Sequence, residues 1–448
     1  MTARPRHIGW LLLGAAGLLG LVLAALVAFT QDAAASRPHR LEIVPGSAGP
    51  VLPTGGPRLV PRRGWISTWG AAPQGPVANN DSERGFADQT IRQIVYTSVG
   101  GTHARIELSN AFGSAPMVVG AAAIGIAGRG AAVLPGSERI LSFGHQTWVS
   151  IPPGAEAVSD PVALAVRPLQ RLAVSLYLPA ATGPVTEHAD AEQTSYIGGG
   201  DRIAQTRAAG LGTTTRSWYL LDGVDVLAPA RDVGAIVALG DSITDGVNSG
   251  LNANARWPND LARRIDARPG AVLSVIDEGI GGNRVLNNAT CCGTNAVARF
   301  QRDVAGRAGA REVILLEGVN DIGFALHTDA LSGPNATVSA AQIIAGDKLI
   351  IAEAHADSLK IFGATITPFQ GARYWSPAGE ANREAVNTWI RTSGAFDGVI
   401  DFAGVLADPS DLERLNPIYD SGDRLHPNAL GYRAMADAIN LSALVSGL

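Results

Sequence analysis

The chain has 448 residues, 46% of them hydrophobic and 17% charged, which sets it among globular proteins and excludes a disordered or coiled-coil chain. Residues 1–64 hold seven Arg against Asp32 and Glu42, leaving a body with a net charge of −10; so acidic a body excludes a nucleic-acid binder, which needs a basic surface for phosphate. Two cysteines are too few for a disulfide framework or a cysteine-based zinc site.

Residues 1–30 read as a targeting segment. Arg4 and Arg6 precede an uncharged run of 23 residues, 8–30, longer than the core of a secretory signal and long enough to span a bilayer. Ala33-Ala34-Ala35 supplies small residues for cleavage just beyond it. A cleaved signal peptide and a retained transmembrane anchor both fit, and both export the body to a periplasmic or extracellular location; the anchor would also tether it to the membrane. Residues 31–64 follow as a linker, in which Pro38, Pro45, Pro50, Pro53, Pro57 and Pro61 alternate with Gly and Ala and no apolar period survives.

Residues 65–230 carry a strand period. Ala104, Ile106 and Leu108 alternate with Arg105, Glu107 and Ser109; Leu172, Val174, Leu176 and Leu178 alternate with Ala173, Ser175 and Tyr177. Period two with one apolar face predicts half-buried strands, here parted by Gly and Pro turns, and hence an all-β sandwich or jelly roll.

Residues 231–448 alternate strand with helix. Continuous apolar runs at 235–239, 272–276, 313–316, 361–366 and 399–402 predict strands buried on both faces. Helical stretches at 257–267, 295–305, 339–359, 379–392 and 429–445 lie between and after them. This is the pattern of a three-layer αβα, flavodoxin-like domain with a parallel sheet, in which sites form at the carboxyl ends of strands.

The residues able to do chemistry fall at those ends. The first strand runs into Gly240-Asp241-Ser242-Ile243-Thr244-Asp245-Gly246; Ser242 either faces a cleft or merely caps a helix. The second ends at a glycine cluster around Gly279, Gly281 and Gly282, a tight turn or a backbone donor to an oxyanion. The third ends at Gly318-Val319-Asn320-Asp321, where Asn320 could offer its amide and Asp321 hold the loop. Near the C-terminus, Asp423 stands three before His426; in a turn its carboxylate could fix the imidazole tautomer. His103, His145, His188, His327 and His355 show no metal-ligand spacing and read as structural or surface residues, so no metal and no cofactor is expected.

Taken together, these blocks resemble the SGNH/GDSL hydrolase family, whose four motifs match Gly240–Gly246, the glycine block ending at Asn283, Gly318–Asp321 and Asp423–Pro427, in order. Upstream, residues 65–73, 109–113 and 216–219 are similar to the β-sandwich carried by some bacterial and fungal members. The resemblance implies a serine esterase. Ser242, His426 and Asp423 would form its triad. The Ser242 and Gly282 backbone N–H groups and the Asn320 amide would form its oxyanion hole, with Asp241 and Asp321 in support. The substrate would be a small acyl ester, extending to acetylated carbohydrate. An acyltransferase working on a glycan hydroxyl, or a noncatalytic polysaccharide-binding surface protein, are the rival readings. Phe324, Phe369, Tyr374 and Trp375 follow the third and fourth strands and are candidates for the substrate pocket, with core packing as the alternative. Cys291 and Cys292 are adjacent; their Cα atoms stand closer than disulfides usually require, and an oxidising compartment leaves both a bonded and a reduced pair open.

Overall fold

Strands expected between 65 and 230 pair into two large antiparallel sheets and two short two-stranded ones. One large sheet runs in the order Trp65–Gly70, Leu221–Leu227, Gly101–Ser109 and Glu156–Val158, with Val162–Val166 also paired to Gly101–Ser109. The other runs Thr213–Thr215, Ser195–Gly199, Gln89–Tyr96, Arg171–Leu178, Ala121–Ile126 and Arg139–Ile140. These coordinates are a computed structural model that describes residues 64–228, 233–268, 272–326 and 331–444. The targeting segment, the linker before Gly64 and His327 lie outside the described residues, among which no helix is long and apolar enough to cross a membrane.

Alternating residues of the two sheets (Ile106 and Leu108 from one, Leu172, Val174 and Leu176 from the other) enter a common core with no exposure. One expectation needs correcting. Ala173 and Ser175, read as the outer face of their strand, are buried as well. A chain segment covers them: the Arg92 guanidinium, itself buried, donates to Ser175 Oγ at 2.8 Å and to the carbonyls of Ala131 at 2.8 Å and Arg202 at 3.1 Å. A period-two pattern shows which face is apolar, but not that a loop will fold over the other.

The second region is a five-stranded parallel sheet: β1 Val233–Gly240, β2 Val272–Gly279, β3 Ala310–Leu316, β4 Lys360–Ala364 and β5 Gly398–Ile400, in the order β2-β1-β3-β4-β5. Residues 235–239 of β1 have no exposed surface, as a strand covered on both faces should. Its helices include α1 Ser242–Asp245, α2 Trp257–Asp266, α3 Ala296–Phe300, α4 Val319–Gly323, α5 Ala340–Ala356, α6 Pro377–Thr392 and α7 Ala429–Ala438. Helix α2 packs on α7, and α5 packs on α3 and α6, making the outer layers. Helix starts follow local chemistry: Ser339 and Gln342 form a capping box at α5, and Ser376 caps α6 just ahead of Pro377.

Two expected helices depart from their apolar pattern. The stretch at 295–305 is α3 continued as a π-helical turn, Gln301–Ala305. The terminal stretch stops at Ala438, because Ile439 is extended and Asn440 starts a new turn by accepting the Ser442 N–H at 3.0 Å.

The described residues form a single unit whose apolar core runs through both regions. Gly70 of the antiparallel sheet lies so close to β2 that a Cβ there would meet Glu278 and Ile276. At the same seam Arg307 bonds Glu278 at 2.7 Å and Glu107 at 3.2 Å, all three buried or nearly so.

Strand order places the site. The neighbours of β1 are β2 on one side and β3 on the other, so the chain reverses its direction of winding there and a crevice opens at the strand ends. Gly240 stands in register with Gly279 and with Leu316, which brings the three loops that follow to one level.

Candidate active site

Ser242 opens α1 directly at the exit of β1. Asp241 caps that turn in extended conformation, its carboxylate accepting the Ile243 N–H at 2.8 Å, and Gly246 closes it at φ 84°. Burial pushes the Asp241 carboxyl up to about 7 against that hydrogen bond and the nearby His426.

His426 lies in the loop before α7. Its Nε2 is 2.8 Å from Ser242 Oγ and its Nδ1 is 2.6 Å from Asp423 Oδ2. The three-residue spacing works because the Asp423 carboxylate also ties its own loop, accepting the Leu425 N–H at 3.0 Å and the His426 N–H at 2.8 Å. Burial raises the Asp423 carboxyl, but the hydrogen bonds and charge of His426 outweigh it and hold the group far below the usual carboxylate range. An ionised Asp423 must receive the Nδ1–H, which leaves the Nε2 lone pair for the serine proton.

The loop after β2 turns at Gly282, whose φ of 73° suits glycine. Asn320, at the start of α4, reaches across to this loop: its Nδ2 donates to the Asn283 carbonyl at 2.9 Å, while Tyr374 Oη donates to its Oδ1 at 3.1 Å. Asp321 holds the same loop by accepting the Val285 N–H at 2.7 Å and the Leu286 N–H at 3.2 Å. Burial raises its carboxyl to about 6, against those two bonds.

The pocket candidates divide. Phe369 has no exposed surface and stacks on Tyr374 with ring centres 6.0 Å apart; it is a core residue, correcting the pocket reading. Tyr374 is buried and committed to Asn320. Phe324 is buried under the Arg284 guanidinium, 5.1 Å from its ring centre, and borders Gly282. Trp375 is half-buried. Cys291 and Cys292 are joined as a disulfide, and a Cβ on Gly282 would come within 2.6 Å of Cys292 Sγ.

Arg299 escapes a reading of the sequence. Fully buried, it donates from Nη2 to the Gly240 carbonyl at 2.9 Å, from Nη1 to the Glu278 carbonyl at 2.7 Å and from Nε to Asn283 Oδ1 at 3.0 Å. One guanidinium thus joins the ends of β1 and β2 to the glycine loop. Asn248 is a second such residue, donating to Asp423 Oδ2 at 3.2 Å. His103 and His355 are structural or surface residues as read, the latter 3.0 Å from Asp397; His145 is exposed. Among the described residues no cluster could hold a metal ion.

Residues 238–434, which contain every loop of this site, match the GDSL-like lipase/acylhydrolase family. This part of the chain is a GDSL-like hydrolase. The protein is accordingly a serine ester hydrolase. No curated protein matches the hydrolase. Solved structures similar to it include a carbohydrate acetylesterase family member from Sinorhizobium meliloti, 16% identical over 48% of this chain and 100% of that one, with a TM-score of 0.37. An acetylxylan esterase from Geobacillus stearothermophilus, solved as a catalytic mutant, is 19% identical over 47% of this chain and 94% of its own, with a TM-score of 0.37. A G-D-S-L family protein from Desulfitobacterium hafniense is 19% identical over 47% of this chain and 98% of its own, with a TM-score of 0.35.

Proposed function

We propose that the protein is an exported esterase that cleaves small acyl esters through an acyl-enzyme on Ser242. The observation that carries this reading is the continuous hydrogen-bonded relay from Ser242 Oγ through His426 to Asp423, at 2.8 and 2.6 Å. Ser242 Oγ attacks the ester carbonyl as its proton passes to His426 Nε2, and the imidazolium formed is stabilised by Asp423. The oxyanion takes hydrogen bonds from the Ser242 and Gly282 N–H groups and the Asn320 amide. His426 returns its proton to the departing alkoxide, and water, activated by the same imidazole, releases the acid. Export rests on the apolar run at 8–30.

A fluorophosphonate tests the nucleophile. The wild type is expected to be labelled and to lose p-nitrophenyl acetate hydrolysis in step, whereas Ser242→Ala takes no label. Folded wild-type protein that resists labelling contradicts the reading. A p-nitrophenyl ester series should show kcat/KM falling with acyl length; a steady rise toward long chains would make the enzyme a lipase instead.

A further inference from the structure

The antiparallel region does more than stand beside the hydrolase: one of its segments touches the turn that carries the nucleophile. His188, 4% exposed, lies between the two regions. Its Nδ1 is 2.9 Å from the Ala72 carbonyl and its Nε2 is 3.2 Å from Asp245 Oδ1. Asp245 is the last residue of α1, three after Ser242, and its N–H donates to the Asp241 carbonyl at 2.9 Å. Its backbone is backed on the other side by Gly279, where a Cβ would strike Asp245 N.

Both partners of the imidazole are acceptors, so both ring nitrogens must carry hydrogen and His188 is an imidazolium. The charged groups facing it are Asp245, Arg256 and Asp277. Burial opposes the charge, and Arg256 repels it; the Asp245 carboxylate and the Ala72 carbonyl prevail, so the group titrates above its ordinary value.

Neighbouring residues extend the contact. Arg256 bridges the Asp245 carbonyl to the Ala191 carbonyl. The Glu192 carbonyl accepts the Asn252 N–H at 2.8 Å, and Thr194 N–H donates to the Asn252 side chain at 2.8 Å. The loop so held includes Asn248, which touches Asp423.

We propose that His188 is a positioning residue for catalysis: supplied by the antiparallel region, it clamps the nucleophile turn through the Asp245 carboxylate and fixes where Ser242 stands relative to His426. This rests on the esterase reading. A misplacement of the nucleophile of about 1 Å can cost about a hundredfold in rate, whereas substrate binding, made elsewhere, is little affected.

The test is steady-state hydrolysis and phosphonate labelling of full-length His188→Ala, His188→Gln, Asp245→Asn and the double variant His188→Ala/Asp245→Asn, with folding followed by circular dichroism. For His188→Ala, kcat and the labelling rate should fall together by about ten- to a hundredfold with KM changed less than about twofold. His188→Gln, which retains one donor but no charge, should lie between the alanine variant and wild type. The double variant should be no slower than the worse single one, because both remove the same contact. Wild-type kcat in folded His188→Gln overturns the proposal whatever the alanine variant does, and so do multiplicative losses in the double variant. A wild-type protein that neither labels nor turns over refutes the esterase reading instead.

Discussion

An amide side chain has two ends, and at Asn320 the structure assigns work to both. Tyr374 holds Oδ1 and the Asn283 carbonyl takes one N–H, so the second N–H has a fixed direction without relying on substrate to set it. Removing the amide by Asn320→Ala should lower kcat by about 10²–10³-fold. Tyr374→Phe deletes only the hydroxyl that orients it, and a milder loss of about three- to tenfold in kcat is expected, with KM unchanged. Stopped-flow acylation rates check the pair; a Tyr374→Phe enzyme altered in KM alone would return Tyr374 to the substrate pocket. Ser242, Asp423 and His426 were legible in the sequence because each sits in a short block of distinctive residue types. Arg299 and His188 were not, since the contacts that tie them to the site run to backbone carbonyls, as from Arg299 to Gly240, or to a group more than fifty positions away, as from His188 to Asp245, and a carbonyl leaves no mark in a sequence.

At the scale of elements, the loop after β2 is held from four directions besides the Asn320 contact. Asp321 takes two of its N–H groups, Arg299 takes Asn283 Oδ1, and Asn283 Nδ2 donates to the carbonyls of Cys292 and Thr294, each at 2.8 Å. The fourth hold is the Cys291–Cys292 disulfide, pressed against Gly282. Reduction should loosen that contact and lower kcat by about two- to tenfold while the circular dichroism spectrum stays native. Alkylation of the freed thiols, checked by mass, should make the loss permanent; full activity after alkylation would show that the pair has no bearing on the loop. Strand cores were readable from their apolar runs, and the helix starts from Ser and Pro. What the pattern missed were the π turn at Gln301–Ala305 and the break at Ile439, the latter set by the local turn at Asn440 rather than by apolar period.

For the whole molecule, the two regions meet over a seam of buried charges, and this shapes the response to pH. Burial raises Asp277 and Asp222 to about 7, and His188 also titrates above its ordinary value. Each therefore binds its proton more tightly in the folded state than in the unfolded chain, where carboxyls release theirs near pH 4 and histidine near 6.5. Between about pH 5 and pH 8 the folded state holds more protons, so stability must decline as pH rises. Asp423 has the opposite sign, but its contribution is complete above the unfolded carboxyl value and is lost only as pH falls below it. Thermal unfolding across that window should show Tm highest on the acid side and falling toward pH 8, and His188→Gln should flatten the slope. A Tm that climbs over the same range would contradict this account.

The seam also bears on ancestry. Arg307 and Asp245 are matched to groups across the boundary, Glu107 and His188 respectively, and Gly70 leaves no room for even a methyl. A recombination event that brought in an unrelated partner module would strand those charges against a surface never shaped for them. Replacing the first half would therefore require rebuilding the flank of the second.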